Sequence, residues 1–443
     1  MSLQRLFNLY HITFLTAAIF CSCKSGTVNL FKPASPHEQY QRKLVTAGLD
    51  KTSMGSAWIV SGYQSIQKPL QITIPYRETG YFAAEKISAV SYRFAAFRGQ
   101  KIGVKITKKP MDQFTIYADV WEQPEGQQMR LLASADTLNN HLVFEVKSSG
   151  VLFLRLQPEL LRSGQYTLEI SVGPSLSFPV KSAGSRNIHS IYGDGRDANA
   201  RKHEGIDIFA PFRTPAIAAA EGTVIRVNEN NLGGKVVWLR PKNQDFTLYY
   251  AHLDQQIATE GQSVLPGDTL GLIGNTGNAR TTPPHLHFGI YASEGTVDPF
   301  PFVNTVIPAA KSINAPLENI NTIMRTVGNS NLYNSPYNGS TKIQSLLPGT
   351  ILTVAAANNN WYTVELPNGQ LGFLQSKSLI STRKAMRELK LNTKQLALYD
   401  MPDSLAAVKK SLSNVKNVEL LGIFGTYYFV RNNGNETGWI AIE

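Results

Sequence analysis

The sequence predicts a mostly β, multidomain protein, and three observations carry that prediction. Its 443 residues exceed the roughly 100–200 residues of one domain, so several folded units are expected. Between about Gly55 and Val172 apolar residues recur with period two, as in Leu152, Leu154 and Leu156 and again in Tyr166, Leu168, Ile170 and Val172, the alternation of half-buried strands. Near the C-terminus three anchors return at a single offset of 66: Leu332-Tyr333 with Pro336 as Leu398-Tyr399 with Pro402, Trp361-Tyr362-x-Val364 as Tyr427-Tyr428-x-Val430, and Gly372-Phe373-Leu374 as Gly438-Trp439-Ile440. A shared offset indicates a duplicated β unit of about 60 residues.

Composition narrows the class. Hydrophobic residues are 42% and aromatics 10%, which is ordinary globular material. Charged residues are only 17%, with a net charge of +11, so the surface is sparse and basic and favours polyanions or an anionic envelope. No run of five or more Lys/Arg occurs, which argues against nucleic acid as the partner.

The elements follow in order. Residues 1–23 read as a signal peptide, with Arg5 ahead of an apolar run from Ile12 to Phe20 that is too short for a spanning helix of about 20 residues. Cys21 and Cys23 are the only cysteines, so nothing beyond residue 23 can form a disulfide. The run Phe20-Cys21-Ser22-Cys23 resembles a bacterial lipobox, which implies lipidation of Cys23; ordinary cleavage, with the cysteines incidental, is the alternative. Lys24 in place of Asp after that cysteine resembles Gram-negative sorting to the outer membrane, which implies an exported envelope protein facing the periplasm. Residues 24–54 read as a tether and a short helix, opened by Ser35 as N-cap and Pro36 at the first helical position.

Residues 55–178 read as a β-sandwich. Its segments SYRFAAFRGQKIGVKI, FTIYADVWE and SGVLFLRLQPELLRSGQYTLEISV are similar to the small pre-peptidase modules of secreted bacterial enzymes. A Pro/Ser/Gly-rich stretch follows, and a second loose stretch, 304–324, reads as a linker. The two copies, 325–382 and 386–443, resemble bacterial SH3-like domains, which implies small barrels that bind cell wall or pack on an attached hydrolase. Their large aromatics, Trp361, Tyr362, Tyr427, Tyr428 and Trp439, are expected mainly as barrel core.

Between them lies the chemistry, in 187–303. Four of the eight histidines fall between His203 and His287. In His203-Glu204-Gly205-Ile206-Asp207 the β-branched residues favour an extended chain, on which positions four apart share a face, so His203 and Asp207 can address one ion. Glu204 alternates to the other side and is left out. In His285-Leu286-His287 a spacing of two puts both imidazoles on one face. Two imidazoles and one carboxylate suit a catalytic zinc that keeps its fourth position for water.

Taken together, RKHEGIDIFAPFRTPAIAAAEGTVI, YYAHLD and GDTLGLIGNTGNARTTPPHLHFGIY resemble the lysostaphin/LytM-type zinc peptidases of peptidoglycan, over about residues 190 to 300. The resemblance implies an antiparallel-sheet peptidase domain with Zn2+ held by His203, Asp207 and His287, and with His252 and His285 as catalytic residues beside the water. A structural His252 held by Asp254 is the alternative for that residue. Tyr192, Asp194 and Arg196, in the loop before the first ligand, are expected at the substrate groove; turn chemistry is their other reading. The resulting expectation is a zinc-dependent endopeptidase cutting stem peptides or cross-bridges of peptidoglycan, anchored to the membrane through Cys23 and open to a regulatory protein partner. A wall-binding protein that activates another hydrolase is the rival, and it predicts missing ligands where none is missing.

Overall fold

A computed structural model describes residues 34–124, 126–196 and 199–442. The export segment and Cys23 lie outside the described residues. None of the helices among the described residues is long and apolar enough to cross a membrane.

Helix α1 spans Pro36–Thr46, and its N-cap Ser35 accepts a hydrogen bond from the Glu38 amide, as the Ser-Pro signal predicts. A second helix, α2, spans Ser53–Gln67, where the sequence reading begins the sandwich. Its buried residues are Gly55, Trp58 and Gly62, spaced by three and four rather than two. The two glycines are needed for close approach: a Cβ on Gly55 would stand 2.0 Å from the Leu49 carbonyl oxygen, and one on Gly62 would stand 2.6 Å from Gln157 Oε1. Trp58 Nε1 donates to the Pro158 carbonyl and ties α2 to the sandwich.

The sandwich itself starts at Leu70. One sheet orders Leu70–Gln71, Val90–Ala96, Gly150–Pro158, Ile116–Glu122 and Arg130–Ser134. The other contains Tyr76–Phe82, Gly164–Pro174, Gln100–Lys109 and His141–Glu145, and it does not end at Tyr76–Phe82. That edge pairs with Ile351–Asn358 of the first C-terminal copy, Thr79 opposite Ala357 and Gly80 opposite Ala356. The core is shared as well, with Trp361 and Phe373 joining Tyr92, Ile102, Leu154 and Leu168 in one cluster. Pairing of an otherwise open edge with another part of the chain removes an aggregation hazard. Residues of the 304–324 stretch also pack: Ala315 is buried, Ile313 and Ile320 lie on the core of the first copy, and the Asn314 and Ala315 amides donate to the Asn359 carbonyl.

The duplication is visible in three dimensions. Tyr333 pairs with Phe373 and, 66 residues on, Tyr399 pairs with Trp439. A Cβ on Gly372 would collide with Leu332 and one on Gly438 with Leu398, so each copy closes its glycine over the same leucine. The second copy is a closed barrel of four strands, Arg387–Tyr399, Val408–Phe424, Tyr427–Arg431 and Thr437–Ala441. Trp361, Tyr362 and Trp439 are buried, whereas Tyr427 and Tyr428 are half-buried.

The part that carries the histidines is an antiparallel sheet. Its order is Ile188–Ser190, Gly205–Phe209, His285–Ala292, Phe246–Gln256, Gly234–Pro241, Gly222–Asn230 and Ser263–Val264. One face packs Ile206, Ile208, Leu248, Tyr250, Leu286, Phe288 and Ile290 into a core. The alternating residues on the other face are thereby left for chemistry.

Candidate metal centre

Strand register builds the centre. Asp207 lies directly opposite His287, Phe209 opposite His285, and Ala251 opposite His287 on its other side. With period two, Asp207, His285 and His287 share the face away from the core. His203 precedes the strand and is held by backbone: its amide donates to Asp194 O and its carbonyl accepts from the Gly193 amide.

His203 Nε2, Asp207 Oδ1 and His287 Nδ1 form a triangle with every edge 3.0 Å. His203 Nδ1 faces the Ile191 carbonyl at 2.9 Å. That nitrogen therefore carries the proton and donates, leaving Nε2 as a bare lone pair aimed at two other electron-rich atoms. Such a triangle is stable only around a cation or shared protons. Bonds of about 2.0–2.1 Å to a tetrahedral ion would set the ligand atoms roughly 3.3–3.4 Å apart, so the group accepts a metal with an opening of a few tenths of an ångström. These three residues form a group able to hold a metal ion.

Electrostatics agree with that use. Burial alone would raise the Asp207 carboxyl, but wherever protons are shared across the triangle the hydrogen bonds to His203 and His287 outweigh burial and hold the group far below the usual carboxylate range; a cation at the same point would favour the ionised form in the same sense. Burial lowers His287, against the pull of Asp207, which favours the neutral, ligating imidazole. Arg196 donates to the other carboxylate oxygen, Asp207 Oδ2, at 2.7 Å and to Ser190 Oγ at 2.7 Å.

His252 and His285 stand beside the triangle. His252 follows Ala251, so regular alternation would send it into the core, yet its φ is +61°. This left-handed residue, fixed by its amide on Gly233 O and its carbonyl under the Gly274 amide, swings the imidazole onto the metal face. Its ring centroid is 5.0 Å from that of His285 and 5.9 Å from that of His287. His252 Nδ1 donates to Thr276 O at 2.8 Å and His285 Nδ1 to Pro283 O at 2.9 Å, leaving both Nε2 atoms as acceptors. His285 Nε2 is 4.0 Å from Asp207 Oδ1. Burial first, then the charges of His285 and His287, lower His252 to about 4, so it is a neutral base at pH 7.

The loop residues singled out from sequence meet protein groups. Tyr192 bonds to Thr296, Asp194 accepts from Ser190 Oγ and the Ile191 amide, and Arg196 sits on Asp207. Sequence reading passed over an aromatic set on the same face, Trp238, Tyr249 and Tyr291. Tyr249 packs 6.0 Å from His287, 4.4 Å from Trp238 and 5.7 Å from Tyr291. Their signal was present in the register, since 287, 289 and 291 share one face, but the sequence does not say which strands are neighbours.

A buried two-histidine, one-carboxylate cluster on the open face of an antiparallel sheet, flanked by two acceptor imidazoles, defines a metallohydrolase type of centre. Residues 201–299 match the model of peptidase family M23, and residues 315–379 and 405–443 match that of the GW (Gly-Tryp) dipeptide domain. The chain thus carries an M23-type domain followed by GW-type copies. It is similar to the L-Ala--D-Glu endopeptidase of Bacillus subtilis strain 168, 35% identical over 138 residues covering 28% of this chain and 42% of the relative. It is also similar to the peptidoglycan DD-endopeptidase ShyC of Vibrio cholerae, 35% identical over 118 residues covering 26% of this chain and 25% of the relative. The chain therefore spans less than half the length of either relative.

Proposed function

We propose that this protein is a zinc-dependent endopeptidase that hydrolyses peptide bonds of peptidoglycan. The observation that carries the reading is the 3.0 Å triangle of His203 Nε2, Asp207 Oδ1 and His287 Nδ1, whose lone pairs need a cation. Zinc held by these three residues would supply Lewis-acid polarisation of the scissile carbonyl and a water of lowered pKa. Arg196 positions Asp207 through its outer oxygen, as groups behind metal ligands do. One of the Nε2 atoms of His252 and His285 takes the proton of the attacking water, in that form donates to the developing oxyanion, and then passes a proton to the leaving amine.

The printed activities of the relatives support peptidoglycan as the substrate, and the GW-type copies support attachment to the cell wall. The N-terminal segment supports export, with Cys23 as the lipidated residue that holds the enzyme to the outer membrane on the periplasmic side. Purified chain from residue 24 onward should bind one zinc and release peptides from peptidoglycan sacculi. Tight zinc binding with no turnover of any sacculus would reject the enzymatic reading.

A further inference from the structure

We infer that Glu204 and Tyr291 form a subsite for a primary ammonium group on the substrate peptide, at the outer edge of the aromatic cluster beside the metal centre. The inference rests on the peptidase reading above and names a specificity determinant for it.

Four observations converge. The Gly205–Gly289 pair lies two residues along from the Asp207–His287 pair, roughly 7 Å away on the same face. Both glycines let neighbouring rings close over the strands: a Cβ on Gly205 would stand 2.5 Å from Phe288 O and 2.9 Å from His287 Nε2, and one on Gly289 would stand 2.9 Å from Tyr291 Cε2. Tyr249, Trp238 and Tyr291 pack together on this face with ring centroids 4.4–5.7 Å apart. At the edge of this cluster, Tyr291 OH donates to Glu204 Oε2 at 3.3 Å.

Glu204 is exposed, and among the described residues no lysine, arginine or histidine forms an ion pair with it. A carboxylate aimed by a tyrosine at the edge of an aromatic cluster, with no ion-pair partner among the described residues, matches an ammonium by charge and by hydrogen bonding. Burial, then the charge of Glu204, keeps the Tyr291 hydroxyl protonated and so a donor. A lysine-like side chain, a compact ammonium on a flexible stem, could reach this carboxylate from a residue close to the bond being cut.

The test uses two synthetic stem-type peptides that differ only in a side-chain amine, free in one and N-acetylated in the other. Both are given to the zinc-loaded full chain and to Glu204→Gln, and each is also titrated onto the chelated proteins to read binding without turnover. The wild type is expected to prefer the free amine by roughly tenfold or more in kcat/KM and in affinity, and Glu204→Gln to treat the two peptides alike. Equal handling by the wild type, or a preference that survives Glu204→Gln, overturns the subsite. Cleavage without amine preference would sink the subsite and leave the peptidase reading standing. Amine-dependent binding without cleavage would do the reverse.

Discussion

The imidazoles of His252 and His285 stand 5.0 Å apart on neighbouring strands, each with Nδ1 tied to a backbone carbonyl and Nε2 free to accept a proton. The pairing depends on one left-handed residue, His252 at φ +61°, since a regular strand would bury that ring on the opposite face. Two imidazoles are thus held beside the candidate metal-binding triangle without being part of it.

Replacement of His252 should separate chemistry from metal binding. His252→Ala is expected to keep its zinc and lose kcat by about 10²–10⁴-fold, the usual worth of a positioned acid or base. Metal analysis and steady-state kinetics on a soluble peptide check this; loss of zinc along with activity would make His252 a ligand instead.

Arg196 should behave as a support for Asp207. Its guanidinium holds Asp207 Oδ2 and Ser190 Oγ, both at 2.7 Å, so Arg196→Ala is expected to weaken zinc binding by roughly 10–100-fold. Competition with a chelator measures it. Arg196→Lys should recover part of the affinity, because an ammonium keeps the charge and can donate to Asp207 Oδ2 but lacks the fixed planar geometry of the guanidinium.

Stability should fall on the acid side through a histidine far from the metal. Buried His37, stacked on Trp58 at 4.7 Å and bonded to Gln157, is lowered to about 3, chiefly by burial and then by Arg155. The unfolded chain takes up a proton near pH 6.5 that the folded chain refuses, so this contribution is complete above 6.5 and is lost as the pH falls toward 3. His37→Gln should show a shallower fall of Tm between those limits. Identical slopes for the two proteins would contradict the assignment.

Close approach at the duplicated glycines should be costly in both copies. Gly372→Ala and Gly438→Ala each press a methyl onto the partner leucine, Leu332 or Leu398, at 2.5 Å and 2.9 Å, and overpacking of this kind costs about 1–3 kcal/mol. Thermal melts should show Gly372→Ala as the worse of the two, since its contact is tighter and its sheet is continuous with the sandwich. No change in either melt would mean that the leucines move aside freely.

Much of the site was legible because its spacing is local. His203 with Asp207 and His285 with His287 obey strand periodicity, so neighbouring positions in sequence define one face. The repeat was legible for a similar reason, as a packing rule used twice leaves the same residues at one offset. What stayed hidden depends on distant partners. Helix α2 carries glycines whose purpose is contact with Leu49 and Gln157, and its mixture of small and apolar residues reads as alternation until those contacts are seen. The edge of Tyr76–Phe82 meets a strand nearly 280 residues later, and no local pattern announces such a pairing. Glu204 was set aside because alternation turns it from the metal; its role depends on Tyr291, which the fold brings across from another strand.

The most direct test of the account is digestion of purified sacculi by the zinc-loaded chain from residue 24 onward, beside its chelated form and Asp207→Ala, with mass spectrometry of the released muropeptides. Cut stems or lost cross-links are expected only in the intact, metal-loaded sample, with Asp207→Ala reduced by roughly a hundredfold or more. Equal release by Asp207→Ala, or none from the loaded protein, would contradict it.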